Sequence, residues 1–116
     1  MAGDEFFSNH FSDTSEGAAI SANEVRLFGA VHAVSLQLGR PVYLVGGYVR
    51  DMLLGRPNND IDFVTLGGGI EFANAVAKSL GVSKVAVFKN FGTAQFHFEG
   101  MEIEFVGARR ESYRRN

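Results

Sequence analysis

The sequence runs to 116 residues, one domain's worth of chain, with 46% hydrophobic and 21% charged residues, an ordinary globular balance. It has no cysteine, which excludes a disulfide framework and a thiolate metal site. The net charge of −2 says little as a sum, although only acids precede Arg26 and four arginines lie in the closing "RRESYRRN".

Residues 1–20, rich in Ser, Asp and Gly, read as a mobile N-terminal tail. No apolar run approaches the ~18 residues of a membrane span, and the start lacks the basic and apolar stretches of a secretory leader. A cytoplasmic protein with no membrane partner is expected. "SANE" at Ser21–Glu24 is a capping box, so a helix should begin there and run to Leu38, with Gly39 as its stop. Val42–Val45 reads as a short buried strand, and Tyr48–Leu54 as a compact helix closed by Gly55 and the turn "RPNN".

Ile61–Thr65 reads as a second strand, followed by the loop Gly67-Gly68-Gly69. Phe72, Ala73, Val76, Ala77 and Leu80 recur at helical spacing, with Gly81 as the stop. Three strands should follow, at Val85–Phe88, Thr93–Phe98 and Met101–Val106, the last two joined by a two-residue turn at Glu99-Gly100. In that register Gln95 faces Glu104 and His97 faces Glu102 on one side, while Ala94, Phe96, Ile103 and Phe105 face the helices. The expected fold is α+β, a mixed β-sheet with helices packed on one face. The polar ending, without a closing strand or helix, suggests a fragment of a longer chain, with residues 21–116 as its ordered domain.

The informative stretch is "LVGGYVRDMLLGRPNNDIDFV", Leu44–Val64. Asp60 and Asp62 alternate with Ile61 and Phe63, so both carboxylates share one strand face, about 6.6 Å apart along the strand axis. Carboxylates without His or Cys favour Mg²⁺, which takes oxygen ligands and keeps waters and phosphates in its shell. Two such ions about 4 Å apart suit in-line attack on a phosphoryl group. Glu104 or Glu102, on a neighbouring strand, could supply a third acid. The plain alternative is an exposed strand face decorated with acids. Gly46-Gly47, between strand and helix, would leave backbone N–H groups free for polyphosphate, and Arg50 could add a charge-assisted contact. A tight turn that needs glycine for its backbone angles is the alternative there. No G-x-G-x-x-G or G-K-[ST] pattern occurs, so dinucleotide and P-loop readings lack support.

Taken whole, this stretch resembles the signature of the polymerase beta-type nucleotidyltransferases. Within them it resembles the class II tRNA nucleotidyltransferase (CCA-adding enzyme) and bacterial poly(A) polymerase family. "FGTAQ" (Phe91–Gln95) and "IEFVGARRESY" (Ile103–Tyr113) resemble the same family's head domain, so the resemblance spans about Val42–Tyr113. It implies a nucleotidyltransferase palm that transfers nucleotides from ATP and CTP to an RNA 3′ end, with CCA addition to tRNA preferred. Asp60 and Asp62 would bind two catalytic Mg²⁺ ions, and Gly46, Gly47 and Arg50 would hold the triphosphate. Asp51 would fix the helix and loop, and Glu104 matches the third acidic position. Arg109 matches an arginine whose role stays open. The family's base-selecting segment and its helical neck, body and tail domains do not occur in these residues. The tRNA 3′ end would therefore be held by domains outside them, and these residues alone are expected to be inactive or nearly so. The alternatives are poly(A) tailing, or a non-catalytic nucleotide- or metal-binding module of the same fold.

The remaining candidates read as structural. Gly67-Gly68-Gly69 is expected to be a flexible connection rather than a phosphate loop. His32 is expected to be a structural histidine, His97 a cross-strand partner of Glu102, and His10 a part of the tail. Most of the eleven phenylalanines are expected in the core rather than stacked on bases.

Overall fold

The computed structural model describes residues 20–108. The N-terminal tail with His10, and the closing segment with Arg109, lie outside them. Helix α1 spans Ala22–Leu38. Ser21 Oγ accepts from the Glu24 N–H and Glu24 Oε1 accepts from the Ser21 N–H, at 3.1 and 2.8 Å, the reciprocal pair the sequence predicts. Gly39 ends the helix in the left-handed region, at φ 64°.

Strand β1 is Val42–Val45, α2 is Gly47–Leu53, β2 is Asp60–Leu66 and α3 is Gly69–Ser79. The short β3, Ala86–Phe88, leads through a 3₁₀ turn at Lys89–Phe91 into β4, Thr93–Phe98, and β5, Met101–Ala108. The sheet order is β1-β2-β5-β4-β3. β2 and β5 run parallel and the other neighbours antiparallel, so the sheet is mixed as expected. Glu99 and Gly100 both have positive φ, 51° and 80°, the geometry of a tight hairpin turn whose twist matches its strands. The register this turn imposes pairs Gln95 with Glu104 and His97 with Glu102, as the alternation predicts.

The core lies between one sheet face and the helices. Phe63 and Phe105, adjacent on β2 and β5, stack with centroids 4.9 Å apart. Phe72 of α3 stacks on Phe105 at 5.3 Å, and Phe28 of α1 meets Phe63 edge-on. Each such fully buried side chain contributes about 1.5–3 kcal/mol of transfer free energy. His32 is half-buried on α1, in the helix layer. Among the described residues no helix is long and apolar enough to cross a membrane.

Two expectations need correction. β1 is not a buried strand: among the described residues it is a sheet edge, paired only with β2, and Tyr43 on its open face is 48% exposed. The phenylalanines lie mostly in the core, as expected: Phe28, Phe63, Phe72, Phe96, Phe98 and Phe105 are buried, while Phe88 and Phe91, at the opposite edge, are 43% and 77% exposed. The triple glycine is not a loose connection. A Cβ built on Gly69 would fall 2.5 Å from the Gly107 nitrogen and 2.8 Å from the Gly92 carbonyl oxygen. The first turn of α3 therefore lies directly on the backbone of β5. Arg40 clasps the same corner, donating to Glu71 Oε1 at 2.7 Å and to the Gly68 carbonyl at 3.3 Å.

Candidate active site

The open sheet face carries the acids. Because β2 and β5 are parallel and in register, Asp60 pairs with Glu102 and Asp62 with Glu104. The four side chains line a shallow concavity of about 210 Å³. Asp62 and Glu104 interact directly, and both carboxyls are pushed above the usual carboxylate range. Burial is the larger cause in each case. For Asp62 the charges of Asp60 and Glu102 add to it, and for Glu104 those of Asp62 and Glu102. The parallel pairing thus brings Glu102 into the cluster together with Glu104.

Gly46 sits against this cluster. Its backbone, at φ 81° and ψ −157°, occupies a region essentially confined to glycine. A Cβ there would lie 3.2 Å from Asp62 Oδ2. The first glycine is therefore required twice, by its torsion angles and by the closeness of the carboxylate. No side chain caps α2, so the N–H groups at its start are not taken up by a capping residue.

Arg50 turns its guanidinium onto its neighbour, with Nε donating to Asp51 Oδ1 at 3.1 Å. The same guanidinium covers Gly47, where a Cβ would meet Nη2 at 3.1 Å. Asp51 is buried, and its carboxyl is held below the usual range by hydrogen bonds from Arg50 and Asn58. Its backbone carbonyl accepts from the Arg56 N–H at 2.7 Å, so Asp51 fixes the helix and the following loop, as expected. Asn58 is the residue that sequence reasoning passed over, reading it as part of a turn. Its Nδ2 donates to Asp51 Oδ2 at 2.6 Å and its Oδ1 accepts from the Asp60 N–H at 2.8 Å. A side-chain acceptor two residues before a strand's first N–H is an Asx turn, and that spacing was the available signal.

The donor set fits a hard divalent cation, since only carboxylates line the concavity. Among the described residues no three acidic, histidine or cysteine side chains close on one point as a ready-made cage. An ion bound to one or two carboxylates, with water and phosphate completing its shell, is the arrangement Mg²⁺ favours.

The family model for the Poly A polymerase head domain matches residues 42–116. The chain belongs to that family. An A-adding tRNA nucleotidyltransferase of Aquifex aeolicus is 48% identical over 73 residues, covering 63% of this chain and 9% of that protein. A solved CCA-adding enzyme with ATP aligns at a TM-score of 0.73 and 34% identity, over 80% of this chain and 22% of that one. A tRNA nucleotidyltransferase solved with a primer tRNA and an incoming ATP analog aligns at 0.65 and 42% identity, over 72% of this chain and 24% of that one. The head domain thus spans less than a quarter of the length of each of these relatives.

Proposed function

We propose that this head domain carries out the chemical step of nucleotidyl transfer from a nucleoside triphosphate to an RNA 3′ end, most specifically CCA or A addition to tRNA. One observation carries the reading. Asp60 and Asp62 line one concavity with Glu102 and Glu104, and Asp62 lies so near the glycine turn at the start of α2 that a Cβ on Gly46 would stand 3.2 Å from Asp62 Oδ2. The relatives' names point the same way: an A-adding tRNA nucleotidyltransferase, a CCA-adding enzyme solved with ATP, and a tRNA nucleotidyltransferase solved with a primer tRNA and an incoming ATP analog.

In this reading Asp60 and Asp62 hold two Mg²⁺ ions, with Glu104 as the third acid. Bound there, the ions would make the 3′ hydroxyl more acidic and neutralise charge on the triphosphate. The N–H groups of Gly46 and Gly47 and the guanidinium of Arg50 hold the triphosphate so that its α-phosphorus faces the 3′ oxygen. The hydroxyl proton passes to solvent, the new bond joins that oxygen to phosphorus, the bond to the bridging oxygen breaks, and pyrophosphate leaves with its electron pair. Catalysis by this chain is chiefly positioning and charge placement. Base choice and grip on tRNA belong to segments beyond this head.

The test is single-turnover addition by the whole enzyme on tRNAs ending before the CCA, before the terminal A, and on an unstructured poly(A) primer. CTP and ATP incorporation on the tRNAs, lost in Asp60→Asn and Asp62→Asn, supports the reading. Efficient extension of the poly(A) primer alone would assign poly(A) tailing, which the family's name leaves as the second reading. Parent-like activity in both variants would remove the carboxylates from the chemistry.

A further inference from the structure

Asn58 stands in the irregular segment between α2 and β2, half-buried, and its amide makes two bonds of opposite polarity. The partners fix its orientation, because the Asp51 carboxylate only accepts and the Asp60 N–H only donates. An aspartate at position 58 would oppose two acceptors across the 2.6 Å contact, and an alanine would leave both groups to water. The contact also reaches α2, because a Cβ on Gly47 would lie 3.6 Å from Asn58 Nδ2. The next residue continues the tie, since the Asn59 carbonyl accepts from the Glu102 N–H at 2.8 Å. One short turn therefore links α2, the first carboxylate of β2, and the acid strand β5.

We propose that Asn58 is a positioning residue for nucleotidyl transfer, holding Asp60 in a fixed relation to the Gly47–Arg50 turn. The inference rests on the reading of Asp60 as a cation ligand. With its amide engaged by Asp51 and by the Asp60 N–H, Asn58 acts by fixing the start of β2 against α2. Partners that orient a metal ligand without binding the metal typically change affinity or activity about 10–100-fold.

The experiment is single-turnover nucleotide addition by the whole enzyme across a Mg²⁺ titration, with Mn²⁺ binding to each variant measured by titration calorimetry without nucleotide. In the calorimetry Asn58→Ala should bind about 10-fold more weakly than the parent, and an unchanged affinity would count against the proposal. Asn58→Ala should move the Mg²⁺ midpoint upward about 10-fold, with nucleotide KM near that of the parent and much of the rate recovered at high Mg²⁺. Asn58→Ser retains a hydroxyl for the Asp60 N–H, should show a smaller shift in the same direction, and supplies the reading if Asn58→Ala fails to fold. Asn58→Asp should be the most impaired, and the exchange Asp51→Asn with Asn58→Asp should recover activity by reversing donor and acceptor. An unmoved Mg²⁺ midpoint in the alanine and serine variants overturns the proposal, as does a double exchange no better than Asn58→Asp. Asp60→Asn, run in parallel, separates the two claims. If it keeps parent-like Mg²⁺ dependence, the cation reading falls and this proposal falls with it.

Discussion

Gly46 leaves room for Asp62: a Cβ at position 46, next to the strand partner of Asp62, would lie 3.2 Å from Asp62 Oδ2. The strand, the glycine turn and the carboxylate are therefore one unit. Gly46 and Asp62 answer one geometric demand, while Gly47 makes room for Arg50 and Asn58.

Gly46→Ala tests that unit. The positive φ alone costs a non-glycine residue roughly 1–3 kcal/mol, and the Cβ displaces the carboxylate besides. Urea unfolding of the variant should show a loss in that range, and calorimetry should show weakened Mn²⁺ binding. A parent-like midpoint and affinity would mean that the turn relaxes freely and that the contact is incidental.

The acid cluster should make stability fall as pH rises. The Asp62 and Glu104 carboxyls lie above their unfolded values, so the native state binds more protons than the unfolded one between those limits. Stability from this pair is present below the unfolded pKa values and is lost as pH climbs through the raised ones. Without divalent cation, Asp62→Asn should raise the thermal midpoint at neutral pH and change it little in acid. Added Mn²⁺ should stabilise the parent and not the variant. Thermal melts at pH 4 and pH 7, with and without Mn²⁺, check both signs.

Gly69 and Gly107 should be intolerant of a single methyl group. Alanine at 69 meets backbone atoms at 2.5–2.9 Å, and alanine at 107 meets the Gly67 carbonyl and the Gly69 nitrogen. Backbone cannot rotate aside as a side chain can, so each substitution should cost about 1–3 kcal/mol or more. Denaturant midpoints measure it.

Glu104→Gln should slow the chemical step of the whole enzyme far more than Glu102→Gln. Glu104 pairs with Asp62 and interacts with it directly, deep in β5. Glu102 pairs with Asp60, one pair from the hairpin turn and beside exposed His97. A ligand needs a rigid mount. Single-turnover rates at saturating Mg²⁺ decide between them, and a larger loss from Glu102→Gln would reverse the assignment.

What could be read from the residues follows from range. The capping box at Ser21–Glu24, the stop at Gly39 and the Glu99-Gly100 hairpin are local chemistry, and each stands where it was expected. The alternation of Asp60 and Asp62 with Ile61 and Phe63 predicted the acid face for the same reason. That the glutamate strand neighbours β2 was expected, but its parallel direction and register were not legible, because nothing local sets the pairing of strands about forty residues apart. That pairing decides which glutamate lies beside which aspartate. It also makes β1 an edge, although "VYLV" reads as buried from composition alone. Gly69 read as part of a flexible connection and Gly107 drew no reading, because a close approach between distant backbones leaves no periodic trace.

The central claim is that Asp60 and Asp62 together hold divalent cation at this face. Titration calorimetry with Mn²⁺ on the parent and on the Asp60→Asn, Asp62→Asn double variant tests it most directly, with circular dichroism establishing that both are folded. Measurable binding to the parent and none to the folded double variant is the predicted result. Equal binding to both would contradict it.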